Sequence, residues 1–176
     1  SLEPQMSDLP VTIRIATVAD AAGLIEFLRG IREERCPGVF EPVRALPTVD
    51  EEVTWIQSLL DDDRSNIWVG VVGDRVVGIL DFHGHPHPQM AHGGALGTSV
   101  LRSARGRGVG YGLMQALIHW ATAHQSLHRI ELEVFSNNIN AIAFYERQGF
   151  VREGARKGAV LVGGMPYDIL LMALRV

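Results

Sequence analysis

At 176 residues, 47% of them hydrophobic, the chain is long enough to bury a sizeable core and fits one domain, residues 1–176, with 1–9 as a flexible lead. A formal net charge of −4 and a pI of about 5.9 argue against a nucleic-acid binder, which carries a basic excess. A lone cysteine, Cys36, excludes an internal disulfide, no apolar run approaches the ~18 residues of a membrane span, and the first residues predict no secretory leader, so a cytoplasmic location is expected.

Val11–Ile15, "VTIRI", alternates apolar and polar residues and predicts a half-buried strand. Leu24, Phe27, Leu28 and Ile31 then recur at helical spacing. Arg35–Pro47 holds three prolines and a glycine and predicts a loop. Thr48 and Glu51 have capping-box spacing, which predicts a helix from there to about Leu60. "IWVGVV" and "VVGILDF" are strands split by a hairpin turn at Gly73–Arg75. A long histidine-rich loop, His83–Gly94, leads to a strand at Ala95–Leu101. Val109, Leu113, Leu117 and Trp120 form one helical stripe, and Arg129–Phe135 alternates strictly as a strand. "INAIAFYERQG" reads as a helix closed by Gly149. Two final strands, joined by Gly163–Gly164, form a closing hairpin. The order βααββ–βαβα–ββ predicts an α/β (α+β) protein: a twisted mixed sheet of about seven strands with about four helices on its faces.

The stretch "ARGRGVGYGL", Ala104–Leu113, lies between a strand and a helix. Such a turn presents backbone N–H groups at the positive end of a helix dipole, which suits a phosphate. Any Cβ there would hold the phosphate off the backbone. The dinucleotide pattern G-x-G-x-x-G fails, because its last position falls on Tyr111 or Leu113. The P-loop pattern fails too, since no Lys-Ser/Thr pair follows. An RNA-binding arginine-glycine tract is disfavoured, because the run is short and enters an amphipathic helix at once. His83, His85, His87 and His92 have spacing that can chelate zinc or nickel. Pro86 and Pro88 stiffen that loop and no cysteine joins it, so no functional metal is expected.

Arg105, Gly108 and Gly110 fill an Arg-x-x-Gly-x-Gly pattern after the strand "GTSVL". One helix and one strand later come Val134, Asn138, Ala141, Tyr145, Gly149 and Phe150. In these two blocks the sequence resembles the GNAT N-acetyltransferases, closely from about Ala95 onward and by element order before that. The tail is similar to bacterial members acting on amino acids or other small amines. The resemblance implies an enzyme that takes acetyl-CoA as co-substrate, needs no metal, and acetylates a primary amine directly in a ternary complex. It implies that Arg105, Gly106, Arg107, Gly108, Val109, Gly110 and Tyr111 cradle the pyrophosphate. It also implies that Thr98, Ser99 and Val100 pair with the pantetheine, that one of their N–H groups holds the carbonyl oxygen, and that Asn138 contacts the pantetheine. Tyr145 would lie near the sulfur and protonate the thiolate.

Acyl transfer to an amine needs an amine freed of its proton, a polarised carbonyl and a protonated leaving thiolate. Asn138 and Tyr145, at i and i+7, share a helix face that can serve the last step. On Arg129–Phe135, Ile130, Leu132 and Val134 share one face and Glu131 and Glu133 the other. Glu133 matches a position that is the base in some relatives, directly or through water; a loop histidine and a merely solvated glutamate strip stay open as alternatives. Cys36 has no neighbouring histidine and is not expected to carry an acyl group. The loops 35–47 and 83–94 are expected to line the acceptor site. A non-catalytic acyl-CoA sensor and a protein N-terminal or lysine acetyltransferase are the competing readings. The family allows a homodimer; neither nucleic acid nor membrane is expected as partner.

Overall fold

The computed structural model describes residues 5–176. β1 (Val11–Ile15) leads to α1 (Ala21–Glu34) and α2 (Val49–Asp61). β2 (Asn66–Val72), β3 (Arg75–Gly84) and β4 (Gly93–Val100) follow, then α3 (Val109–Ala123), β5 (Arg129–Phe135) and α4 (Ile139–Arg147). β6 (Val151–Val162) and β7 (Met165–Arg175) close the chain. The strands form one seven-stranded sheet in the order β1-β2-β3-β4-β5-β7-β6. Every neighbouring pair is antiparallel except β4–β5, so the sheet is mixed, as expected.

Two boundaries differ from the sequence reading. The β3–β4 ladder continues through Phe82–Leu96, His83–Ala95 and Gly84–Gly94. His83 is therefore a strand residue, and the histidine loop shrinks to residues 85–92. Backbone pairing outweighs the turn signal of Gly84, whose N–H donates to Ser65 Oγ at 3.0 Å. Of the lead expected to be flexible, residues 1–4 lie outside the described residues. Met6–Asp8 makes a short 3-10 turn, and Leu9 packs against the core.

The sheet is covered on both faces. β2 and β3 are buried along almost their whole length, which needs a layer on each side. Trp68 and Phe82 meet Trp120 of α3 edge-on, with ring centroids 5.5 and 5.8 Å apart. Asp81 and His83 alternate to the opposite face, where Trp55 of α2 lies 6.4 Å from the His83 ring. Gly70 and Gly78 are partners across β2 and β3. A Cβ at either position would come within 2.7 Å of Val109 Cγ1. Val109, the first residue of α3, thus seats in a notch left by two missing side chains. That contact sets the height of the α3 N-terminus above the sheet, and the fully buried Leu113 and Leu117 continue the same stripe.

Gly78→Val is expected to lower stability by about 1–3 kcal/mol through overpacking, read as a shift of the urea midpoint. A second expectation concerns the turn before α1. Arg14 grips Asp20 through two bonds of 2.8 Å, and the Thr17 N–H donates to the same carboxylate. The Arg14 bonds hold the Asp20 carboxyl below its ordinary range. A depressed carboxyl adds stability above its unfolded value near ~3.9 and loses it as pH falls through the folded value. Asp20→Asn is therefore expected to cost about 1 kcal/mol at pH 7. The gap from the parent should close below pH ~3; a gap that persists there would show that the charge of Asp20 is not what stabilises the turn.

Candidate active site

The parallel strands β4 and β5 pair at three positions only: Gly93–Arg129, Gly94–Ile130 and Ala95–Glu131. Beyond them the strands part. Leu96–Val100 and Leu132–Phe135 become the two walls of a wedge-shaped cleft of about 1080 Å³. The edge of β4 that faces β5 has no strand partner here, and buried backbone groups require one. An extended ligand bearing amides can supply it by the pairing that an added strand uses. Thr98, Ser99 and Val100 all line the cleft. The Thr98 hydroxyl is turned back onto the Ile79 carbonyl at 2.9 Å.

The closed end is pinned by charge. Arg129 donates to Glu131 at 2.6 Å and also grips Glu153 on β6. The other Glu131 oxygen lies 2.6 Å from Nε2 of His85. Arg64 donates to the carbonyls of His85 and Ala91 and fixes the same loop. The clustered histidines are thus divided: His83 meets Asp81 and His85 meets Glu131. Among the described residues no group of three metal-ligating side chains converges.

At the other end of the wedge the chain turns into α3. Gly106 and Gly108 have φ of 76° and 77°, a backbone region that side chains disfavour. A Cβ at either would meet nothing within 4 Å, so the space over this loop is open. Gly108 is the N-cap of α3 and supplies no side-chain cap. The amides of the first turn therefore lack intrahelical partners and sit at the positive end of the helix dipole. Arg105, Gly106 and Gly110 line the cleft. Val109 is buried and offers only its backbone there. Arg107 donates to the Leu9 carbonyl, tying the loop to the N-terminal segment, and Tyr111 is exposed. The geometry fits a pyrophosphate: open space, free amides and one arginine.

α4 forms the roof. Asn138 caps it, accepting from the Ala141 N–H at 3.3 Å and donating to the Gly38 carbonyl at 3.3 Å. That second bond draws the loop around Cys36–Phe40 across the cleft. Asn138, Ala141 and Tyr145 line one helix face, all toward the cavity. The Tyr145 ring packs against Phe144 and Phe150, and burial pushes its hydroxyl up to about 12. Glu133 also lines the cleft but is exposed and held by Arg156 of β6. That ion pair has no local signal along the chain, since β6 meets β5 only through β7.

The cleft is also lined by side chains that the sequence reading does not single out, among them Glu52 and Trp55 of α2 and Asp81 of β3. Asp81 carried a legible signal, a lone charge within the apolar run "VVGILDF". Glu52 did not, because it reads as an ordinary acidic first-turn residue.

The GNAT acetyltransferase family model matches residues 28–150. The L-amino acid N-acetyltransferase AaaT of Escherichia coli (strain K12) is 32% identical over 119 residues, covering 68% of this chain and 74% of that protein. A GNAT-family acetyltransferase from Streptococcus pneumoniae superposes with a TM-score of 0.87 at 25% identity, over 94% of this chain and 99% of that one. The fold is also that of yncA from Salmonella typhimurium, solved with its cofactor acetyl-CoA: TM-score 0.78, 20% identity, 94% of this chain and 93% of that one. On the span of the family match and the identity to its curated relative, this chain belongs to the GNAT family of acetyltransferases.

Proposed function

We propose that the protein moves the acetyl group of acetyl-CoA onto the primary amine of a small molecule, with both substrates bound together. The observation that carries this reading is the β4–β5 wedge running into an uncapped, glycine-lined helix N-terminus. Acetyl-CoA supplies an activated thioester; the chain supplies position, polarisation and proton transfer. Arg105 and the amides of Val109, Gly110 and Tyr111 receive the pyrophosphate where Gly106 and Gly108 leave room. Arg107 contributes by anchoring the loop to Leu9. The Thr98–Val100 edge pairs with the pantetheine amides, and one of its N–H groups polarises the thioester oxygen. Asn138 has one N–H and one lone pair left for the pantetheine after its two bonds.

Tyr145 delivers the proton that the leaving thiolate needs. Its raised value keeps the hydroxyl protonated across the neutral range, so it is equipped to give a proton rather than take one. Glu133, engaged by Arg156, takes the amine proton through a bridging water. A bacterial cytoplasmic setting belongs to this reading and is supported by the bacterial sources of the relatives above. A homodimer rests on family likeness alone.

Gly108→Glu is expected to abolish acetyl-CoA binding in calorimetric titration, by bulk and by charge repulsion at the helix N-terminus. Unchanged affinity would sink the phosphate cradle. Tyr145→Phe is expected to lower kcat about a hundredfold in a thiol-release assay while acetyl-CoA affinity stays the same. Full turnover in that variant would remove Tyr145 from the proton path. Tight acetyl-CoA binding with no thiol release on any amine would instead favour a sensor.

A further inference from the structure

The cleft is short of positive charge at the end away from the glycine loop. Four carboxylates line it: Glu34, Glu52, Asp81 and Glu133. Arg105, in the glycine loop, is the lone lysine or arginine among its described lining residues. Three of the acids have partners. Glu34 accepts from the Arg102 N–H at 2.6 Å, Glu133 is held by Arg156, and Asp81 faces Nε2 of His83. Glu52 differs. It is 5% exposed, lines the cleft, and among the described residues no hydrogen bond or ion pair reaches its carboxylate. Burial, and then the charge of Asp81, hold its carboxyl above the ordinary range. A buried carboxylate without a partner is unfavourable, and is relieved by taking up a proton or by a cation placed beside it.

The position of this group is informative. Asp81 pairs with Gly97 across β3 and β4. A Cβ on Gly97 would come within 3.3 Å of Asp81 Oδ2, so the glycine leaves room for the carboxylate. Gly97 lies two residues beyond Ala95, the last β4 residue paired with β5. Asp81 therefore stands just inside the apex of the wedge. Glu52 and Trp55, three apart on α2, share the helix face that meets it. Trp55 adds an aromatic face of the kind that attracts ammonium groups.

We propose that Glu52, Asp81 and Trp55 form a cation subsite for the acceptor, and that the acceptor is a small diamine bearing no carboxylate. One ammonium sits at Glu52 and Asp81 while the other amine reacts. The inference rests on the acetyl-transfer reading and names its acceptor class. It departs from a free amino acid, whose carboxylate would meet the carboxylates of Glu52 and Asp81 at the apex of the wedge.

The test is a titration of 1,5-diaminopentane and of lysine, which differ only by the carboxylate, into the protein with and without coenzyme A. The diamine is expected to bind at least about tenfold tighter, and to lead by a similar factor in kcat/KM with acetyl-CoA. Glu52→Gln is expected to weaken the diamine about tenfold and leave coenzyme A affinity unchanged; Asp81→Asn serves if the first variant does not fold. Lysine binding as tightly as the diamine, no measurable diamine binding, or a folded Glu52→Gln with undiminished diamine affinity would overturn the subsite. Loss of coenzyme A binding with the diamine preference intact would overturn acetyl transfer and leave the subsite standing.

Discussion

Everything functional in this fold depends on β4 and β5 separating after three residue pairs. A gap in the middle of a sheet exposes polar backbone within the protein, which is costly unless something answers it. Here the gap is tolerable because each half is paired on its far side. β4 is laddered to β3 along its whole length, and β5 to β7 along its whole length. The apex is clamped by the Arg129, Glu131 and His85 contacts, so the opening has a fixed end. A rigid wedge with an unsatisfied edge is a site waiting for an extended amide ligand.

The two ends of that wedge have opposite electrical character. One holds the α3 N-terminus, with the helix dipole, free amides and Arg105. The other gathers carboxylates, one of them buried and unanswered. An anionic group is drawn to the first end and a cationic group to the second. Tyr145 lies on the roof between them, in an aromatic surround that removes water and keeps its proton in place. The same low-dielectric packing therefore builds the wall and raises the Tyr145 hydroxyl.

How much of this was legible in the sequence follows from distance along the chain. The element order and mixed sheet were readable, because periodicity and turn residues are local. So was the need for glycine in the loop before α3: Gly106 and Gly108 are needed for their own φ, a property that neighbours do not supply. Asn138, Ala141 and Tyr145 share a face by helical spacing alone. The ion pair of Glu133 with Arg156, the Arg107 tether to Leu9 and the meeting of Glu52 with Asp81 were not readable. Each joins segments that only the sheet order brings together. The boundary of β3 was misread for a related reason, since a glycine in a ladder looks like a turn until its partner strand is known.

This split has a consequence for how such a protein acquires its acceptor. The donor side is built from one continuous strand–loop–helix–strand–helix run, β4 through α4, and its geometry is set by the Val109 notch over Gly70 and Gly78. The acceptor side borrows from α2 and β3. α2 docks on the core through Ile56 and Leu59, which are buried, while Glu52 and Trp55 line the cleft. Trp55 also packs against the core, so it both holds the helix and faces the cleft. The two ends of the cleft are thus drawn from different parts of the chain, and the charge of the acidic end is a feature of α2 and β3 rather than of the glycine loop.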